Sequence, residues 1–207
     1  MLGESMPSSL PLRLVIAVDA FGFADPETAA ALQPMVKKLS TLVRDVREDL
    51  LAPPGLSVWG RAQTTLQRHE AWLTFRDWIE RDNPRMQFSV ARNLALSTAV
   101  PEGERQWAAL MRMEARARLA WLLPPGTVLC MPTTPFPAPK KGLPLPTLDP
   151  LRSRILCLAA HGGLTGVPQL TIPGTEVDGC PVGFSILGGH GSDAALVAVA
   201  KAMEVGG

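Results

Sequence analysis

Two adjacent hydroxyls, Thr133 and Thr134, follow directly on the apolar run 127–131 (TVLCM). Loops just beyond strand ends are where α/β sheets contact their ligands. The pair therefore reads either as a substrate contact or as two ST-turns that stabilise a proline-rich loop. Other groups could also do chemistry. His69, His161 and His190, with Cys130, Cys157 and Cys180, are metal-ligand types. None of them has i,i+4 or CxxC spacing, and zinc needs ligands converging at about 2.0–2.3 Å, so no metal is expected. Cys130 with His161 or His190 and Asp193 has the residue types of a cysteine hydrolase. Cys130 lies inside a hydrophobic run, however, and burial raises a thiol pKa, so it reads as a core residue. Gly188-Gly189-His190-Gly191 follows a strand and opens a helix, as phosphate cradles do. It lacks the Lys-Ser/Thr ending of a P-loop and the full dinucleotide spacing. The simpler reading is a tight turn in which glycine supplies a positive φ. Ser8-Ser9 and Lys37-Lys38 do not make a serine–lysine centre, because neither serine lies in a turn that presents donors to an oxyanion.

The elements that would position these residues follow from period and punctuation. Residues 12–19 (LRLVIAVD) form a short, β-branched apolar run, hence a buried strand. Asp25-Pro26-Glu27 has the order of a helix start, with Asp25 as cap. Leu32, Val36, Leu39, Val43, Val46 and Leu50 then make one apolar helical stripe, kinked or restarted at Pro34 and ended by Pro53-Pro54-Gly55. Residues 56–59 suggest a short strand, and 63–81 a helix. Residues 88–100 suggest another helix. The clearest is 102–123, with Ala108, Met111, Ala115, Leu119 and Leu122 on its buried stripe and a Glu114–Arg118 pair on its surface. Residues 127–131, 169–172 and 182–187 read as strands, with Asp178-Gly179 as the turn between the last two. Residues 151–160 read as a helix ended by Gly162-Gly163. Ser192 is expected to cap a final helix that buries Leu196, Val199 and Met203. The alternation implies an α/β fold, a mixed β-sheet flanked by helices.

Composition narrows the function classes. At 207 residues, with 46% hydrophobic side chains, the chain can build a core and one domain is expected. Within 1–207, residues 1–10 are expected to fray, and the proline-rich stretch 132–150 to form a long loop inside the domain. A net charge of +1 argues against nucleic acid and against an anionic membrane as partners. The run 10–21 is too short and too charged to span a bilayer. Three cysteines without a secretory signal fit a reducing cytoplasm.

Several motifs together resemble the amidase signature family, serine hydrolases that cleave carboxamides. One is Pro132-Thr133-Thr134-Pro135-Phe136-Pro137-Ala138-Pro139, similar to a PT-x-P-x-x-AP element after a strand. Thr165-Gly166-Val167-Pro168 is similar to a TG-x-P element, and Gly179-Cys180-Pro181-Val182-Gly183 to a turn into PVG. The glycine loop 188–191, Asp193 and the helix to Glu204 complete the order. Asp19-Ala20-Phe21, Ala24-Asp25-Pro26 and Arg68-His69-Glu70-Ala71-Trp72 resemble stretches of bacterial amidases near the indole-3-acetamide hydrolase type. Gly162-Gly163-Leu164 stands where many members place an asparagine.

The resemblance implies the C-terminal half of an amidase signature fold. It places Thr133, Thr134, His161, Gly162 and Gly166 on the wall of a pocket for a small carboxamide, with no cofactor and no metal. The family's two serines and lysine belong to a segment upstream of the matched region, and no such segment occurs in residues 1–207. The chain is therefore expected to be a fragment or split subunit, inactive alone, completed by a complementary amidase chain or pairing as a homodimer. The runs 15–18 and 128–131 would then lie at exposed sheet edges. The alternative is a non-catalytic binding or assembly module built on the same fold.

Overall fold

The computed structural model describes residues 10–205. Strand β1 (Arg13–Ala17) leads into helices α1 (Val18–Phe23), α2 (Pro26–Ala31) and α3 (Gln33–Ser40). Strand β2 (Asp45–Asp49) and helices α4 (Leu56–Asp82), α5 (Phe88–Ser97) and α6 (Glu102–Leu122) follow. Then come β3 (Thr127–Pro132), α7 (Leu145–Thr165), the hairpin β4 (Gln169–Val177) and β5 (Cys180–Gly188), and α8 (Asp193–Val205). The sheet order is β2-β1-β3-β5-β4. β1 runs parallel to β2 and β3, while β5 runs antiparallel to β3 and β4. The sheet is thus mixed, as the alternation of elements predicts.

Strand periodicity sorts the core onto two faces, because successive side chains point to opposite sides. Val15, Ala17, Leu129, Met131 and Leu187 meet Trp59 and Ala62 of α4, Leu119 of α6 and Leu158 of α7. Leu14, Val128, Cys130, Phe184 and Ile186 meet Leu39 of α3 and Leu196 and Val199 of α8. Strand β3 is buried along its whole length. Asp178 and Gly179 both have positive φ (52° and 74°), the backbone of a two-residue hairpin whose twist matches its strands.

The structure departs from the sequence reading where local signals meet tertiary demands. The stripe 32–50 is broken: α3 ends at Ser40, and Asp45–Asp49 pairs with β1 in register Arg13↔Asp45 to Ala17↔Asp49. The Leu12 carbonyl accepts from the amides of both Arg44 and Asp45 (3.0 and 3.1 Å), which starts this pairing. Asp19 ends it, its carboxylate accepting from the amides of Leu51 and Ala52 at 2.8 Å each. Val46 is consequently 43% exposed. β1 and β3 are interior strands rather than edges, and the edges are β2 and β4. β2 carries Asp45, Arg47, Glu48 and Asp49, charges that discourage further pairing at an edge.

Residues 56–59 open helix α4 instead of forming a strand. Trp59 is fully buried there, with its Nε1 donating to Glu114 (2.8 Å). Arg118 turns to Asp49 (2.7 Å), so each member of the expected Glu114–Arg118 pair serves a tertiary contact. The expected loop 132–150 is irregular only over 133–144, because α7 starts at Leu145 and carries Pro150 inside it. The helix also passes through Gly162-Gly163 and ends at Gly166, whose φ of 74° is the left-handed cap. Packing explains Gly163 but not Gly162, whose side-chain position is open: a side chain on Gly163 would strike the Gln63 amide of α4, just as one on Gly60 of α4 would meet Cys157 at 3.0 Å. Asp25 precedes α2 as its N-cap by backbone, but its side chain makes no capping bond. The expected fraying of residues 1–9 lies outside the described residues.

Replacing Leu129 by Ala, at the centre of one core, should lower unfolding free energy by about 2–5 kcal/mol. Val46→Ala, on the exposed edge strand, should change it by less than about 0.5 kcal/mol. Urea denaturation of both variants checks the contrast; a large cost at Val46 would restore the helical stripe.

Candidate functional site

Strand β3 delivers Thr133 and Thr134 to the sheet's surface, where they line a groove of about 270 Å³ with Phe136, Ile155, Thr171 and Gly183. The Thr133 amide donates to the Gly183 carbonyl (2.9 Å), extending the β3–β5 ladder by one step. A side chain at Gly183 would come within 2.7 Å of Thr133 Oγ1 and 2.9 Å of the Thr171 methyl. The PVG glycine is therefore a close-approach position.

Beneath the groove runs a buried chain of hydrogen bonds. Ser185, fully buried on β5, meets Thr133 Oγ1 at 2.7 Å and Thr171 Oγ1 at 3.2 Å. Gln169 Nε2 donates to the same hydroxyl at 2.8 Å. A serine hydroxyl can donate once and accept twice, so these three partners saturate it. Gln169 Oε1 then faces His161 Nε2 at 2.9 Å, and His161 must carry its proton on Nε2. Register assembles the chain: Thr171 and Met131 both lie opposite Ser185 in the sheet, and Gln169 and Thr171, two apart on β4, share its face.

His161 is 1% exposed. Burial lowers its pKa below 6.5, against the opposing hydrogen bond to Gln169, and its buried Nδ1 has no partner among the described residues. It is a neutral link in this chain, and it reaches the groove only through Gln169 and Ser185. Gly162 lies in the last turns of α7 and Gly166 is that helix's cap; neither lines the groove. Residues 161–166 are thus the end of a helix, not a loop. Thr134 takes the turn role instead, its Oγ1 donating to the Phe136 carbonyl (2.9 Å).

A clamp holds the loop 133–139 in place. The Asp25 amide donates to the Pro135 carbonyl (2.8 Å). Arg154 donates to Asp25 Oδ1 (2.7 Å) and the Phe23 carbonyl (3.2 Å), and lies 5.1 Å from the centre of the Phe136 ring. This ion pair is half-exposed, with both side chains near 40% accessible (38% and 40%). Such a pair is worth about 0–1 kcal/mol, so it orients the loop more than it stabilises the fold.

Ser185, Gln169 and Arg154 escape sequence reasoning. The signals for the first two are a polar residue at the centre of an apolar strand and a Gln-x-Thr spacing of two on its neighbour. Arg154 leaves none, because its partners lie far off in the chain.

Cys130 points into the other core, away from His161, and burial pushes its thiol pKa up to about 12. The arrangement expected of a cysteine hydrolase does not form. Among the described residues, no three His, Cys, Asp or Glu side chains gather as a metal site would need. No helix among them is long and apolar enough to cross a membrane.

Two outcomes test the buried chain. Ser185→Ala should cost about 1–3 kcal/mol of stability, because it strands the Gln169 donor and the threonine hydroxyls. The unfolded state should bind a proton at His161 more readily than the native state. The stability this contributes is whole above about pH 6.5 and is lost as pH falls from there towards the lowered native value. Thermal melts from pH 7.5 to 5 should show that loss, and His161→Gln should remove part of it; an unchanged pH profile in the variant counts against a buried neutral His161.

No protein-family model matches the chain. Amidase 1 of Oryza sativa subsp. japonica is 29% identical over 169 residues, 80% of this chain and 39% of that protein. The translocon at the outer membrane of chloroplasts 64 of Pisum sativum is 30% identical over 154 residues, 74% of this chain and 26% of that protein. A crystal structure of an amidase superposes with a TM-score of 0.78 at 25% identity, covering 98% of this chain and 48% of its own. A bacterial aryl acylamidase of the amidase signature enzymes superposes with a TM-score of 0.74 at 14% identity, covering 95% and 44%. The chain spans less than half the length of each of these proteins. The PT-x-P loop at the end of β3 and these likenesses in sequence and structure converge: the chain belongs to the amidase signature family.

Proposed function

We propose that residues 1–207 act as one partial domain that forms the wall of a carboxamide pocket. The reaction served is hydrolysis to a carboxylate and ammonia, and the nucleophile, base and oxyanion donors come from a complementary amidase segment. The observation that carries this reading is the saturated Ser185 hydroxyl beneath Thr133. A buried network centred on a saturated hydroxyl is held in one arrangement, and it ends on a groove at the carboxyl end of a central strand, where open α/β sheets bind ligands. With Ser185 committed to three partners, one threonine donates into it and the other accepts from it. Whichever accepts, Thr133 or Thr171, has its own hydrogen free, and a carboxamide oxygen in the groove can take it.

Acyl transfer needs an activated nucleophile, its base and oxyanion donors in one place. Ser185 is closed to solvent and Cys130 is a high-pKa core thiol, so neither supplies the nucleophile in this reading. Three free cysteines suit a reducing, cytoplasmic setting. A second reading, a non-catalytic binding or assembly module, is favoured by the exposed Leu73, Phe75, Trp78 and Phe88 on α4 and α5. An apolar surface of this kind marks an interaction site.

Ammonia release from a panel of arylacetamides distinguishes the two. The 207-residue chain alone should release none. Co-expression with the part of an amidase that it does not match should restore release, and Thr133→Val or Thr171→Val, whichever removes the free hydroxyl hydrogen, should reduce that at least about tenfold, the worth of one strong hydrogen bond. Turnover by the chain alone, or restored turnover indifferent to both Thr133→Val and Thr171→Val, would overturn the proposal. A soluble complex without turnover favours the assembly module.

A further inference from the structure

At the other end of β3 from Thr133, a pocket of about 640 Å³ opens between the start of that strand, the end of α7 and the glycine loop entering α8. Unpaired donors gather there. Thr127 is 5% exposed, and its buried Oγ1 has no hydrogen-bond partner among the described residues. Ser192 Oγ is also buried without a partner among them. Ser192 is the N-cap of α8 by backbone, its carbonyl accepting from the Leu196 amide (3.0 Å), yet its hydroxyl does not cap the helix as the sequence suggests. The first amides of α8, at Asp193, Ala194 and Ala195, have no acceptor within the helix.

The glycine loop brings these donors close. Gly191 has a φ of 78°, and a side chain on Gly189 would press within 2.8 Å of the Leu123 carbonyl. Arg116 lines the pocket with its Nε held on the Leu164 carbonyl (3.3 Å). Leu119, Leu123 and Val167 supply an apolar wall.

A buried hydroxyl without a partner costs about 1–3 kcal/mol. Two such hydroxyls in one open pocket, beside the positive end of a helix dipole and a guanidinium, share one remedy: an acceptor with negative charge. We propose that this pocket binds a small organic anion, an oxyanion head of carboxylate or phosphate class on a compact apolar body. The head accepts from Thr127 Oγ1, Ser192 Oγ, the α8 amides and Arg116. The body lies on Leu119, Leu123 and Val167. This gives the 188–191 loop the anion-binding role that its sequence alone leaves to a simple turn.

The test is a titration of the 207-residue chain with benzoate, phenyl phosphate and inorganic phosphate, followed by calorimetry and amide NMR shifts. Benzoate or phenyl phosphate should bind saturably and move the amides of Gly191 to Ala195; the tighter of the two identifies the head. Thr127→Val and Arg116→Gln should each weaken binding about tenfold, as expected for hydrogen bonds to charge. Thr127→Val should melt no lower than the parent, because valine fills the same space without the stranded hydroxyl. No saturable binding, or affinity unchanged in both variants, overturns the site. Inorganic phosphate binding as tightly as phenyl phosphate overturns the organic-anion assignment.

Discussion

Strand β3 exchanges backbone hydrogen bonds with β1 on one side and β5 on the other, and its six residues are all buried. A strand enclosed on both edges and both faces has no free polar backbone along its length, so its chemistry is displaced to its ends. At the carboxyl end, Thr133 donates one more ladder bond to the Gly183 carbonyl and then turns its hydroxyl to Ser185. At the amino end, Thr127 is left with a buried hydroxyl and no partner among the described residues. Both the groove and the second pocket follow from where this strand stops.

The helical layer that encloses β3 is held by close approaches between α4 and α7. Gly60 and Gly163 let these helices come near enough for the backbone of one to meet side chains of the other. Glycine in a helix interior costs roughly 0.5–1 kcal/mol relative to alanine, a cost offset here by the fit. The same close packing carries α7 through Gly162-Gly163 to Gly166, which brings His161 under the sheet and within reach of Gln169. Ser185 then ties that helix to the groove through a single hydroxyl.

Much of the fold was legible in the chain. The apolar runs of β1, β3 and β5, the apolar stripe of α6 and the Asp178-Gly179 hairpin are local patterns, and the structure contains each of them. The candidate site was legible in part. Thr133 and Thr134 stand out as hydroxyls after an apolar strand, and the motifs that resemble the amidase signature family lie at β3, at the end of α7 and along the β4–β5 hairpin. Their partners were hidden. Ser185 is 52 residues from Thr133, and nothing between them encodes the antiparallel register that sets them face to face. Arg154 reaches Asp25 across 129 residues, a contact made only once α7 lies against the start of the chain.

The chain by itself determined the residues with a period to keep and a turn to obey, because these preferences are carried by neighbours in sequence. Only the tertiary structure decided that Val46 lies in an edge strand, that residues 56–59 begin a helix and that α7 ignores two glycines. A short apolar run satisfies helix and strand equally until a partner offers either backbone pairing or a packing surface. In the same way it decided which hydroxyls are saturated and which stand unpaired, since the sequence names the donors while the register and packing of distant strands and helices choose the acceptors.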